Sequence, residues 1–263
     1  MWRSFLLALF SLGVLISSSS AQPCDDLRLL SEEFPPINYS ADGSPRGLSI
    51  DLVNEIQRRL GVQQPVEFMP WSRAFREAQG PGCTALFAMA RTPQRERMFK
   101  WVGPIVTFYS SIYAPRRDGL RLRSLNDARQ AESVLVVRDW YTAEQLSSQG
   151  FGNLQTVSEP VQAIRMLLAG RAPLFATERI SMPQIMAQAG IPEEALEIVY
   201  SFASAEGYIA MSLDTPDALV QAWNEKLREM KRDGSFQKIH QRWIPHYPLP
   251  ADARPAQTPT GAQ

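Results

Sequence analysis

Short apolar runs alternate along the chain with segments whose apolar residues recur every three or four positions. LRLL at 27–30, VEFM at 66–69 and ALFAMA at 85–90 predict strands bounded by polar or turn residues. Between the first two, Leu52, Val53, Ile56 and Leu60 fall on one stripe, which predicts a helix over 50–60 stopped by Gly61. Residues 71–79 predict a short helix ended by Gly80. A second block repeats the alternation, with strands at 133–137, 154–157, 173–177 and 196–200. Its best-marked helix is opened by Ser158, has Pro160 in the first turn, buries Val161, Ile164, Leu167 and Leu168, and stops at Gly170; another covers 180–189. Extended segments at 108–113 and 207–211 enter and leave this block. Thr215-Pro216 then opens a helix carrying Leu219, Trp223, Leu227 and Met230, and 235–244 gives one more after Gly234. Strand–helix alternation of this kind indicates βαβ units and parallel sheets rather than a sandwich.

The two ends differ from this pattern. Residues 1–21 carry Arg3, an apolar stretch over 5–16 and a small-residue end at Ser19-Ser20-Ala21, the make-up of a cleaved signal peptide. The apolar stretch is about a dozen residues, against the roughly 20 a membrane-spanning helix requires. Cys24 lacks the Leu-and-small-residue context of a lipidated cysteine, so the mature chain reads as a soluble exported protein. From Pro248 to the end the chain is rich in Pro and Ala with little to bury, which predicts a disordered tail over 248–263.

Lys plus Arg and Asp plus Glu number 27 each, so no basic excess points to nucleic acid. The two cysteines, Cys24 and Cys83, are a disulfide candidate in an exported chain. Each precedes a strand, and parallel neighbouring strands would bring them to the same sheet end; two buried free thiols are the alternative. The only histidines, His240 and His246, lie near the C-terminus, which leaves no multi-histidine metal site, and no nucleophile elbow, Walker loop or G-x-G-x-x-G occurs. No cofactor is expected, and the chain does not read as an enzyme.

Three phrases resemble, in order, the periplasmic solute-binding proteins of the polar-amino-acid ABC importer type. FPPINYSADGSPRGLSIDLVNEIQRRLG matches that family's opening, with its G-x-x-x-D at Gly47 and Asp51. ARTPQRERMFKWVGPI matches its Thr-x-x-Arg loop, and MKRDGSFQKIHQRWI its terminal helices. The resemblance implies an α/β fold of two lobes, 22–112 with 208–247 and 113–207, joined by a two-strand hinge around a ligand cleft. It implies capture of a small carboxylate-bearing solute, an amino acid or relative, by a monomer that closes on it and delivers it to an ABC permease in the membrane.

By the same resemblance Arg95 grips the ligand carboxylate with Thr92 beside it, Glu178 holds the ammonium, and Phe34 and Trp71 sandwich the side chain. Arg73 adds a basic group near the cleft, the backbone around Ala90 contributes polar groups, and Trp140 lines the pocket. The sequence departs from the family at Ala88 and Ala90, where Ser is usual, at Pro173, and at Glu178, where Asp is usual, so the ligand is less defined than the fold. Two other uses of the fold remain alternatives: a sensory protein presenting its ligand to a receptor, and a secreted dehydratase of the cyclohexadienyl type in which Glu178 is a general acid.

Overall fold

The computed structural model describes Cys24 and residues 27–254. The signal-peptide reading of 1–21 lies outside the described residues. In chain order the elements are β1 (Arg28–Ser31), β2 (Tyr39–Ala41), β3 (Ser44–Arg46), α1 (Leu48–Leu60), β4 (Val66–Phe68), α2 (Trp71–Glu77), β5 (Thr84–Ala90) and β6 (Lys100–Pro115). They continue as α3 (Leu125–Gln130), β7 (Val134–Val137), α4 (Tyr141–Ser148), β8 (Leu154–Val157), α5 (Pro160–Leu168), β9 (Leu174–Glu178), α6 (Met182–Gln188), β10 (Leu196–Met211), α7 (Asp217–Asp233) and α8 (Ser235–Trp243).

β1 pairs in parallel with β4 and β5, and β7 in parallel with β8 and β9. The two parallel groups share β6 and β10, which run antiparallel to each other and carry the sheet across, giving the strand order β4-β1-β5-β10-β6-β9-β7-β8. The two parallel groups expected from the sequence are both present, and hydrogen bonding through β6 and β10 joins them into one mixed sheet. The reason is the length of β6 and β10, 16 residues each, where only short extended segments were legible. Gly103-Pro104 and Ser110-Ser111 break the apolar pattern of β6, so its length comes from pairing with β10 and is not visible in its own residues.

Both faces of β7 and β9 are buried, which is why VLVV and LFA read as unbroken apolar runs, while the edge strand β8 leaves Gln155 and Thr156 exposed. Val134 and Val136 of β7 point into one core with Leu146 and Phe151, while Leu135 and Val137 point into the other with Ile164 and Leu167. In the first group α1 buries Leu48, Leu52, Val53 and Ile56, and Gly61 closes it in the left-handed conformation expected. Gly47, at φ +124°, opens it where a Cβ would collide with the Ile37 carbonyl, so only glycine fits. Asp51 accepts hydrogen bonds from Trp243 Nε1 at 2.8 Å and Arg242 Nη1 at 3.2 Å, so the opening and closing phrases of the sequence meet in space. Cys24 and Cys83 are bonded, with Cα atoms 5.7 Å apart.

The start of the expected disordered tail is packed. Residues 248–254 form a turn in which Ala253 is buried, Gln237 Nε2 donates to the Ala253 carbonyl, and Lys231 Nζ reaches Asp252 Oδ2 at 2.7 Å. Composition predicts little local structure here; the surface beside α7 and α8 supplies it. Residues 255–263 lie outside the described residues.

Candidate functional site

In open sheets with parallel strands, ligands bind beyond the carboxyl ends of the strands. Here those ends converge. Glu32 and Phe34 follow β1, Ala88 and Ala90 close β5, Trp140 and Tyr141 follow β7, and Glu178 is the last residue of β9. With Trp71 at the start of α2, Phe108 of β6, and Arg95 they line one cavity. It offers about 30 Å³ to water centres, room for about two waters. Ala88, at φ +62°, is the extra residue where β5 slips against β10, so the cavity floor is a bulge held in a left-handed conformation that alanine adopts at some strain.

Arg95 lies in the turn after β5, where its N–H donates to the Thr92 carbonyl. Its guanidinium carbon sits 4.9 Å from the Phe75 ring centre and 5.6 Å from that of Trp71, so two aromatic faces hold a charged group that is 2% exposed. Nε and Nη2 donate to the two carboxylate oxygens of Glu144 on α4, at 2.9 and 2.7 Å, the parallel pairing that suits guanidinium and carboxylate. Nη2 also donates to the Asp139 carbonyl at 2.9 Å, and Trp71 Nε1 donates to the same oxygen at 2.7 Å. Asp139, at φ +59°, holds a conformation Asp tolerates, and its carbonyl takes both donors from the other side of the cleft. The Phe34 ring meets Trp140 edge-on at 5.5 Å and Phe108 at 5.9 Å. The cleft is therefore closed by an ion pair, two hydrogen bonds to one carbonyl and an aromatic contact.

Two acids face this closed space. Glu178 is 2% exposed and neither of its carboxylate oxygens has a hydrogen-bond partner. Burial pushes its pKa up to about 7, against the partial pull of hydrogen-bond donors nearby and Arg95. Half-buried Glu32 is also held well above the carboxylate range, by burial first and then by the negative charges of Glu178 and Glu159, with Arg95 and the Trp140 indole opposing. The Tyr141 hydroxyl is committed to Ser110 Oγ at 2.8 Å, and burial raises its pKa well above the usual value. Such a cavity can accept hydrogen bonds from a cation and cover its apolar part with rings.

The structure brings Phe34, Trp71, Ala90, Arg95, Trp140 and Glu178 together as the sequence suggested, and leaves two expected residues outside. Arg73 is exposed and pairs with Glu77 one turn along α2 at 2.8 Å, because the face of α2 that carries Trp71 and Ala74 is the one turned inward. Thr92 lines an outer groove with Gln145, not the cavity. Glu178 ends β9 in full burial. Glu32, Phe108 and Glu144 were not foreseen. The signal for Glu32 was its place just past a parallel strand, like that of Glu178; Glu144, within an amphipathic helix, offered none. Among the described residues, no group of three His, Cys, Asp or Glu side chains could hold a metal ion.

A sequence profile of the bacterial extracellular solute-binding proteins, family 3, matches residues 28–246, and the chain belongs to that family. It is 18% identical over 213 residues to the L-cystine-binding protein TcyA of Bacillus subtilis (strain 168), covering 80% of this chain and 78% of that one. Among solved structures it shares its fold with a histidine kinase sensor domain similar to periplasmic binding proteins, at TM-score 0.77 and 22% identity over 85% of this chain and 98% of that one. The arginine-, lysine-, histidine-binding protein ArtJ of Geobacillus stearothermophilus has the same fold, at TM-score 0.72 and 16% identity over 85% and 97%.

Proposed function

We propose that this family 3 solute-binding protein is a periplasmic receptor that captures a small ammonium-bearing solute, an amino acid or close relative, and delivers it to an ABC permease. The observation that carries the reading is Glu178: a carboxyl buried without a partner, inside a cavity walled by Phe34, Trp71 and Trp140 and closed from both sides. An ammonium group gives its oxygens the donors they lack, and the rings cover the rest of the solute. The amino-acid ligands of TcyA and ArtJ support the same class.

Capture works through the two long strands. A solute touching both sides of the cleft stabilises the closed form by its greater affinity for that form, and closure is what the permease reads. Arg95 joins the sides through Glu144 and Asp139; a solute carboxylate reaches the guanidinium by displacing Glu144. The test is thermal shift followed by calorimetry of the mature protein against amino acids and amines, with small-angle scattering to follow closure. A ligand at 100 times its dissociation constant should stabilise by about 2.7 kcal/mol. Absence of any shift across both classes rejects the reading.

Two observations keep other uses of the fold in view. The histidine kinase sensor domain has the same fold, which favours presentation of the loaded protein to a receptor, and pull-down with and without ligand separates that from transport. Glu178, protonated up to about pH 7, has the state a general acid needs, and release of water from a bound hydroxylated substrate is the assay for a dehydratase.

A further inference from the structure

We propose that the cleft selects aliphatic amines and diamines that lack a carboxylate over the amino acids of the same skeleton, because Glu144 already fills the carboxylate seat on Arg95. This rests on the reading of the cleft as an ammonium-binding site and names the ligand class within it.

Arg95 is the one basic side chain lining the cavity, and its Nε and Nη2 are taken by Glu144 from across the cleft. A ligand carboxylate would have to replace one bidentate carboxylate by another, and would lose the contact that ties the two sides together. Nothing is gained in hydrogen bonds by that exchange. An amine asks for no exchange.

The balance of charge points the same way. Around the cavity Arg95 faces Glu32, Glu178 and its partner Glu144, so with all groups ionised the site has two carboxylates in excess. A zwitterion leaves that excess unchanged, whereas each ammonium without a carboxylate removes one charge of it. A neighbouring groove of about 310 Å³ shares Glu32, Trp71 and Trp140 with the cavity and adds Glu33 and Glu159 against a single Arg138. A diamine can therefore place one ammonium on Glu178 and the second on the acids of this groove, its methylenes lying between the Trp71 and Trp140 rings. Because the ammonium replaces a proton on Glu178, binding below about pH 7 releases protons; Glu32, Arg95, Tyr141 and Tyr113 are the charged and titratable groups that face the same carboxyl.

The test is calorimetry at pH 7.5 on the mature protein with matched pairs of rising size: ethylamine and alanine, cadaverine and lysine, agmatine and arginine. The expected result is that in at least one pair the decarboxylated member binds ten-fold or more tightly than the amino acid. Glu144→Gln, which frees the guanidinium, should narrow or reverse that preference, and Glu178→Gln should weaken the amine ten-fold or more with its near-ultraviolet circular dichroism unchanged. Equal or tighter binding of the amino acid in the unaltered protein overturns this inference and leaves the capture of amino acids standing. Failure of every pair to bind folded protein overturns both.

Discussion

Replacing Glu178 by Gln keeps the shape of a buried carboxylic acid and removes its titration. The group ionises near its ordinary 4.5 in the unfolded chain and at about 7 in the closed cavity. Between those values the folded protein holds a proton that the unfolded chain has released, so the unfolded state binds fewer protons and stability falls as pH rises. At about 1.4 kcal/mol per pH unit the full interval costs about 3 kcal/mol, of which about 2.5 kcal/mol falls between pH 5 and pH 8. Glu178 is 2% exposed, so solvent screening does not reduce this. The assay is urea unfolding of the ligand-free protein and of Glu178→Gln at half-unit steps from pH 5 to pH 8. The two proteins should be close at pH 5, and the variant should be the more stable by about 2.5 kcal/mol more at pH 8. Opening of the cleft rehydrates the carboxylate by a shorter route, so scattering at pH 8 should show the unaltered protein more open than the variant. Parallel stability curves together with equal radii at pH 8 would falsify the account of Glu178 as an ionisable group held in a dry cavity.

Trp71→Phe keeps the ring and removes the hydrogen bond to the Asp139 carbonyl; ligand affinity should fall by a factor of about 3 to 10, with a more open solution shape by scattering. Asp51→Ala deprives Trp243 and Arg242 of their acceptor and should cost about 1–2 kcal/mol in urea unfolding, while in the double-mutant cycle Trp243→Phe should add little to it. Serine at both Cys24 and Cys83 releases a 59-residue loop and should cost about 4 kcal/mol on the chain-entropy account; an unchanged denaturation midpoint would contradict it.

How far the sequence revealed this molecule depended on whether each cause was local. The stripe of α1, the Pro at the start of α5 and the apolar runs of β5 and β7 are written in neighbouring residues and were legible. The length of β6 and β10 was not, because what extends each strand through Ser, Gly and Pro positions is its partner. The candidate site divides along the same line. Arg95 carried a family motif and Glu178 stood at a family position with Glu for Asp, yet neither says anything of Glu144, whose role exists only once α4 is laid across the cleft. Arg73 shows the converse, a basic residue adjacent in sequence to Trp71 that the turn of α2 directs to solvent. Residues 248–254 read as featureless because their order derives from the surface they cover.

A machinist would call the β6–β10 ribbon a flexure rather than a pinned joint. Sixteen residues at roughly 3.3 Å each make a strip of about 50 Å, hydrogen-bonded along its length, that resists sliding in its own plane and yields by bending across it. The pairing skips at Ile198/Tyr200, Ser201/Ala203 and Gly207/Ile209, and a strip bends where its rungs are missing. Glu178 is paired in register with Ser110, itself opposite Ala203, so it rides close to the pivot and travels little as the cleft swings. On the proposed capture by closure, the acid beside the ribbon stays at the bottom of the narrowing wedge, the last point a departing solute leaves.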